Sequence, residues 1–158
     1  MATKRKKTSH GNGNHADFLA GLQLYGLALK SCNVALDRQA YWDSAQKEKK
    51  PTRRLNEHYR VSAVKDDFFE SEGLFNLVLG EEERPGLKID CVFEVHIHTK
   101  TPINRESVER FTSSELRLLL LPYVRHFISS ITSQMQIPTI VLPLAVGAAR
   151  HAAGRFGE

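Results

Sequence analysis

The chain has 158 residues, 41% of them hydrophobic and 25% charged, with a formal net charge of +4. That length suits one domain with a single core, and the clustering of Lys4, Arg5, Lys6 and Lys7 near the start makes the basic character a property of a tail. No apolar run follows the basic start, which argues against a secretory signal, and the uncharged stretch 127–149 is too rich in Ser, Thr, Gln and Pro for a bilayer span, so a cytoplasmic protein is expected.

Residues 1–17 hold too few apolar groups to offset the entropy of ordering. They are expected to form a disordered basic tail ahead of a folded body over residues 18–158. Clustered cations suit nucleic acid, but without interleaved aromatics or a recognition helix the preferred reading is a solvated terminus. From Phe18 to Arg38, Leu22, Leu24, Ala28, Cys32, Val34 and Leu36 share one parity, while Tyr25, Leu27 and Leu29 fall on the other. This reads as a long strand, bent or bulged near Gly26 or Ser31, with a helix as the competing reading because Leu and Ala are good helix formers. Cys32 and Cys91, with no paired C-x-x-C, are expected to be reduced, buried core thiols. Gln39 to Asn56, charged and broken by Pro51, reads as a long exposed connection with Tyr41 and Trp42 docked on the sheet.

Glu57 to Phe69 puts Tyr59, Val61 and Ala63 on one face and Arg60, Ser62 and Asp66 on the other, the pattern of a half-buried strand. A turn is expected at Glu70, Ser71, Glu72 and Gly73, then a short apolar strand, then a second turn closed by Pro85 and Gly86. Leu87 to Lys100 is the clearest strand: Ile89, Cys91, Phe93, Val95 and Ile97 alternate against Lys88, Asp90, Glu94, His96 and His98. His96 and His98 share the polar face, but nothing nearby supplies a third ligand, so they read as surface histidines and no metal or other cofactor is expected. Between Asp66 and Glu94 the carboxylates Asp66, Asp67, Glu70, Glu72, Glu81, Glu82, Glu83, Asp90 and Glu94 face only Arg84 and Lys88. The resulting negative potential is either a solvated face or a docking surface for a basic partner.

Phe111 to Leu142 organises the rest. Thr112 and Glu115 stand at capping-box spacing, with Phe111 and Leu116 as a hydrophobic staple, so a helix start is expected there. Leu116, Leu120, Tyr123, Val124, Phe127, Ile128, Ile131 and Met135 make a wide apolar stripe. Pro122 is expected to kink or break this helix, because an interior proline costs roughly 3 kcal/mol. Leu118 to Leu121 point around the whole helix, so burial on more than one side is expected, and Ser129 and Ser133 would let another helix approach without burying ions. The fold class that results is α+β: a four-stranded antiparallel sheet packed by a long, Pro-interrupted helix, in an oligomer.

The run LLLPYVRHFISSITSQMQIPTIVL, with Pro122, Tyr123, Arg125, Ile128, Ser130, Ser133, Pro138 and Leu142, resembles the SecB family of export chaperones. The match is specific over roughly residues 116–142 and rests upstream on the four-strand pattern. The resemblance implies an ATP-independent holding chaperone, a dimer of dimers with helices between sheets and apolar grooves for unfolded or precursor polypeptides. Family members deliver clients to the SecA motor, and some relatives guard an antitoxin. On this reading Phe68, Phe69, Leu74, Phe75, Ile137, Ile140 and Leu142 are the candidate polypeptide-binding residues. Leu118, Leu121, Tyr123, Arg125, Ser129 and Ser133 are the candidate oligomer interface, and Asp66, Asp67, Glu70, Glu72 and Glu94 the candidate docking surface. The alternative is a nucleic-acid-associated protein using the basic tail. An enzyme is not expected, since there is no phosphate-binding Gly loop, nucleophile elbow or H-E-x-x-H.

Overall fold

The computed structural model of the protein describes residues 12–47 and 52–143. In chain order they form α1 (Asn12–Ala20), β1 (Leu22–Leu36), α2 (Arg38–Lys47), β2 (Arg53–Val64), β3 (Phe68–Gly80), β4 (Pro85–Thr99), α3 (Arg105–Ser114) and α4 (Leu116–Gln134). Two units result, one running to Leu120 and the other starting at Leu121.

In the first unit the strands make one antiparallel sheet of order β1-β4-β3-β2. Strict alternation decides which face is buried. Ile89, Cys91, Phe93, Val95 and Ile97 of β4 and Phe69, Phe75, Leu77 and Leu79 of β3 all point to the same, inner face. Helices cover part of that face: Phe69 packs between Phe18 of α1 and Phe111 of α3, at ring separations of 6.1 and 5.6 Å. Gly73 leaves the gap that Leu120 fills, since a Cβ there would lie 2.5 Å from Leu120 Cδ1. At the other end α2 is capped by Asp37, whose Oδ1 accepts from the Ala40 N–H at 2.9 Å. It lies so close to β4 that a Cβ on Gly86 would meet the Tyr41 Cα at 2.5 Å.

The bulges expected in β1 are present, between Leu24 and Gly26 and between Leu29 and Ser31. Each adds a residue, Tyr25 or Lys30, and each switches the parity of the strand beyond it. Leu22 and Leu24 lie opposite Thr99 and Ile97, Leu27 and Leu29 opposite Val95 and Phe93, and Cys32, Val34 and Leu36 opposite Cys91, Ile89 and Leu87. The mixed parity of the sequence therefore becomes one continuous apolar stripe on the inner face.

Several expectations are corrected. The tail was expected to run to Asp17, but α1 begins at Asn12; residues 1–11 lie outside the described residues. The connection after Gln39 contains α2, with Ala40 and Tyr41 buried and Trp42 packed edge-on against Tyr41. The turn expected at Glu70–Gly73 is strand, and the chain turns between β2 and β3, closed by the Lys65 N–H donating to the Phe68 carbonyl at 2.8 Å. Turn-forming residues occupy β3 because each makes a contact: Ser71 Oγ bonds Thr112 Oγ1 at 2.8 Å, Glu72 accepts two cations, and Gly73 admits Leu120. Thr112 is consequently no N-cap. The cap is Asn104, whose Oδ1 accepts from the Glu106 N–H at 3.0 Å, and α3 ends at Glu115. The helix break thus falls at Glu115, while Pro122 stays inside α4. Cys32 is exposed, because β1 is an edge strand; Cys91 is buried.

The second unit contains the rest of α4 and an extended strip to Pro143. The helix ends in a Schellman motif: the Gln136 N–H donates to the Ser133 carbonyl at 3.0 Å and the Ile137 N–H to the Thr132 carbonyl at 3.4 Å, with Gln136 at φ 56°. Thr132 then ties the strip back. Its buried Oγ1 donates to the Ile128 carbonyl at 2.8 Å and accepts from the Ile140 N–H at 3.1 Å.

Candidate polypeptide-binding surface

The outer face of the sheet carries the even-numbered residues of β3 and β4. Glu72 and Glu94 lie directly opposite one another, an arrangement of like charges that needs a cation between them. The second bulge of β1 supplies it: Lys30 Nζ donates to both carboxylates, at 2.7 Å to Glu94, and Arg60 Nε reaches Glu72 from β2 at 2.7 Å. Lys30 and Arg60 hold the Glu72 carboxyl below the usual range, and the two carboxylates push the Lys30 ammonium up in turn. Glu72 is only 2% exposed. Its place in the candidate docking surface is corrected accordingly, because both its oxygens are engaged inside the chain. Glu94 also lies 3.4 Å from His96, and Glu70 3.2 Å from the same ring. Asp66 and Asp67 stay exposed in the β2–β3 turn. The strongly negative hairpin read from the sequence is therefore partly neutralised, with Lys47, Arg54 and Lys88 pairing with Glu81, Glu82 and Asp90.

In the middle of the sheet a cavity of about 380 Å³ is lined by three consecutive residues of every strand, Ser31–Asn33, Asn56–His58, Leu74–Asn76 and Asp90–Val92. Such a lining is what a trough between two outward rows of side chains produces, with the middle row as its backbone floor. One bank carries Leu74 and Val92. The other is polar, with the Asn56 amide donating to Asn76 at 3.2 Å and the Asn76 amide to Asp90 at 2.6 Å. Further along the same face Phe68 stacks on His98 at 5.6 Å and Tyr25 tilts against that ring at 5.2 Å, with Tyr25 itself 81% exposed. Lys65 Nζ sits 4.9 Å from the Phe68 ring centre.

The candidate residues thus separate. Leu74 lines the trough and Phe68 belongs to the aromatic patch, whereas Phe69 and the Phe75 ring are core. Ile137, Ile140 and Leu142 are buried. Of the candidate interface, Leu118 is 63% and Tyr123 47% exposed, Ser133 is exposed, Arg125 and Ser129 are half-buried, and Leu121 is buried. Tyr25 and Val92 escaped the sequence reading, the first because its bulge turns it to the outer face. Among the described residues no group of three or more His, Cys, Asp and Glu is placed to hold a metal, and no helix is long and apolar enough to cross a membrane.

No protein-family model and no curated protein matches the chain. Among solved structures, the Mycobacterium tuberculosis Rv1957 SecB-like chaperone, in complex with a ChAD peptide from the Rv1956 HigA1 antitoxin, superposes with a TM-score of 0.72 at 16% identity, over 85% of this chain and 98% of that one. The fold is SecB-like. A Streptococcus agalactiae protein of unknown function is a more distant neighbour, with a TM-score of 0.46 at 12% identity over 78% of this chain and 97% of that one. In the SecB-like fold of this chain, the segment 116–142 that carries the sequence resemblance comprises α4 and the strip tied to it by Thr132.

Proposed function

We propose that this protein is an ATP-independent holding chaperone that binds unfolded polypeptide. The observation that carries the reading is the shared fold, one bearer of which is a SecB-like chaperone in complex with an antitoxin peptide. The trough and the aromatic patch support it, because they offer apolar contacts beside amide donors and acceptors, suited to clients recognised by backbone and bulk rather than by sequence. Leu74 and Phe68 are the proposed contact residues on this face. Phe69, Phe75, Ile137, Ile140 and Leu142 would act only where a client displaces existing packing. Asp66, Asp67, Glu70 and Glu94 remain the proposed docking site for a basic partner, a SecA-type motor in an export role.

The purified protein is expected to suppress aggregation of a denatured client at stoichiometric amounts without nucleotide. Leu74→Asp should weaken client binding about tenfold with its circular dichroism unchanged, since one apolar side chain is worth roughly 1.5–3 kcal/mol when fully buried. No suppression by the wild type at stoichiometric chaperone would overturn the reading. A client pull-down separates the two roles: captured chains bearing signal peptides indicate export, and one dominant small protein indicates antitoxin protection.

A further inference from the structure

Cys32 and Cys91 lie far apart in the chain, yet they are direct partners across the β1–β4 ladder. Directly opposed residues of an antiparallel pair project to the same face with Cα atoms about 4.5 or 5.5 Å apart, and both separations fall within the roughly 4.4–6.8 Å that a disulfide spans. Register here is regular, since the bulge at Lys30 ends before Ser31 pairs with Val92. The two thiols differ in access: Cys32 is exposed on the edge strand, and Cys91 is 3% exposed among Phe75, Ile89 and Phe93 on the inner face. Both are free.

We propose that Cys32 and Cys91 form an entry and resolving pair that exchanges with low-molecular-weight disulfides and closes to an intrachain Cys32–Cys91 bridge. In the first step the Cys32 thiolate attacks one sulfur of the small disulfide, forming a mixed disulfide and releasing one small thiolate. In the second the Cys91 thiolate attacks the Cys32 sulfur, and the second small thiolate leaves. The protein loses two electrons and two protons, and the small disulfide is reduced to two thiols. Burial raises both thiols above their ordinary range, and Cys32 and Asp90 add to the effect at Cys91, which is pushed up to about 12. Closure is therefore slow at neutral pH and accelerates by about tenfold per pH unit across the mildly alkaline range. Nothing in this chemistry depends on the chaperone reading, because it needs only the register of two strands.

The test incubates the native full-length protein with oxidised glutathione at pH 8 and at pH 9, followed by intact mass, peptide mapping and non-reducing electrophoresis. The expected product is a monomer lighter by two hydrogens, with the Cys32 and Cys91 peptides linked and the rate higher at pH 9. Cys91→Ser should stop at a glutathione adduct on Cys32, and Cys32→Ser should not react until denatured. A stable adduct on wild-type Cys32, a Cys32-linked dimer, or native protein that does not react would each overturn the proposal. The wild-type peptide map decides it even where the Cys91→Ser core fails to fold.

Discussion

At the scale of single residues the decisive group is Glu72, a carboxylate buried between Lys30 and Arg60. Its pKa is depressed in the folded chain, so the unfolded state binds its proton more readily. The stability it contributes is present above the ordinary carboxyl range near about 4.3 and is lost as pH falls through the lower, folded value. Glu72→Gln should cost on the order of 2 kcal/mol at neutral pH and flatten the acid limb of stability against pH, read by urea unfolding between pH 7 and 3. An unchanged acid limb would remove Glu72 as its cause. Counting charges along the sequence identified the carboxylates but not their neutralisation, because Lys30 and Arg60 come from two other strands. Cys91 is buried as its apolar strand implies, but the exposure of Cys32 and its pairing with Cys91 escape the sequence for the same reason: they exist only in the register of the ladder.

At the scale of elements, β4 could be read directly, since Ile89 to Ile97 alternate without interruption against polar neighbours. So could the bulges of β1, because Gly26 and Ser31 interrupt its apolar run. Elements whose residues serve contacts elsewhere could not. Glu70 to Gly73 have the composition of a turn and lie in a strand, and Thr112 has the spacing of a cap but bonds Ser71 across the layer. The end of α4 carries its own strain, because Gln136 adopts a left-handed conformation that disfavours a side chain. Gln136→Gly should therefore raise stability by about 0.5–1 kcal/mol, measured as a higher denaturant midpoint at unchanged slope. A lower midpoint would show that the glutamine side chain contributes more than the backbone strain costs.

At the scale of the whole molecule, the run Leu118 to Leu121 points around its helix, and one covering layer leaves part of it in water. In the single chain Leu118 is 63% exposed, and Leu24 and Leu29 of the inner stripe are 47% and 41% exposed. These are the residues an oligomer would cover. Light scattering is expected to find the wild type as a dimer or tetramer, with Leu118→Glu shifting it toward monomer; a wild-type monomer would end the assembly proposal. The two bulges have one more consequence. A fifteen-residue strand at the end of the sheet order has one edge that no other described strand pairs with, the usual template on which foreign strands add and fibrils grow. Tyr25 and Lys30 break the spacing of that edge into short lengths, so an unrelated extended chain cannot zip along it without bulges of its own. On the side of β1, a protein proposed to hold sticky, unfolded chains thus presents them with no long regular edge.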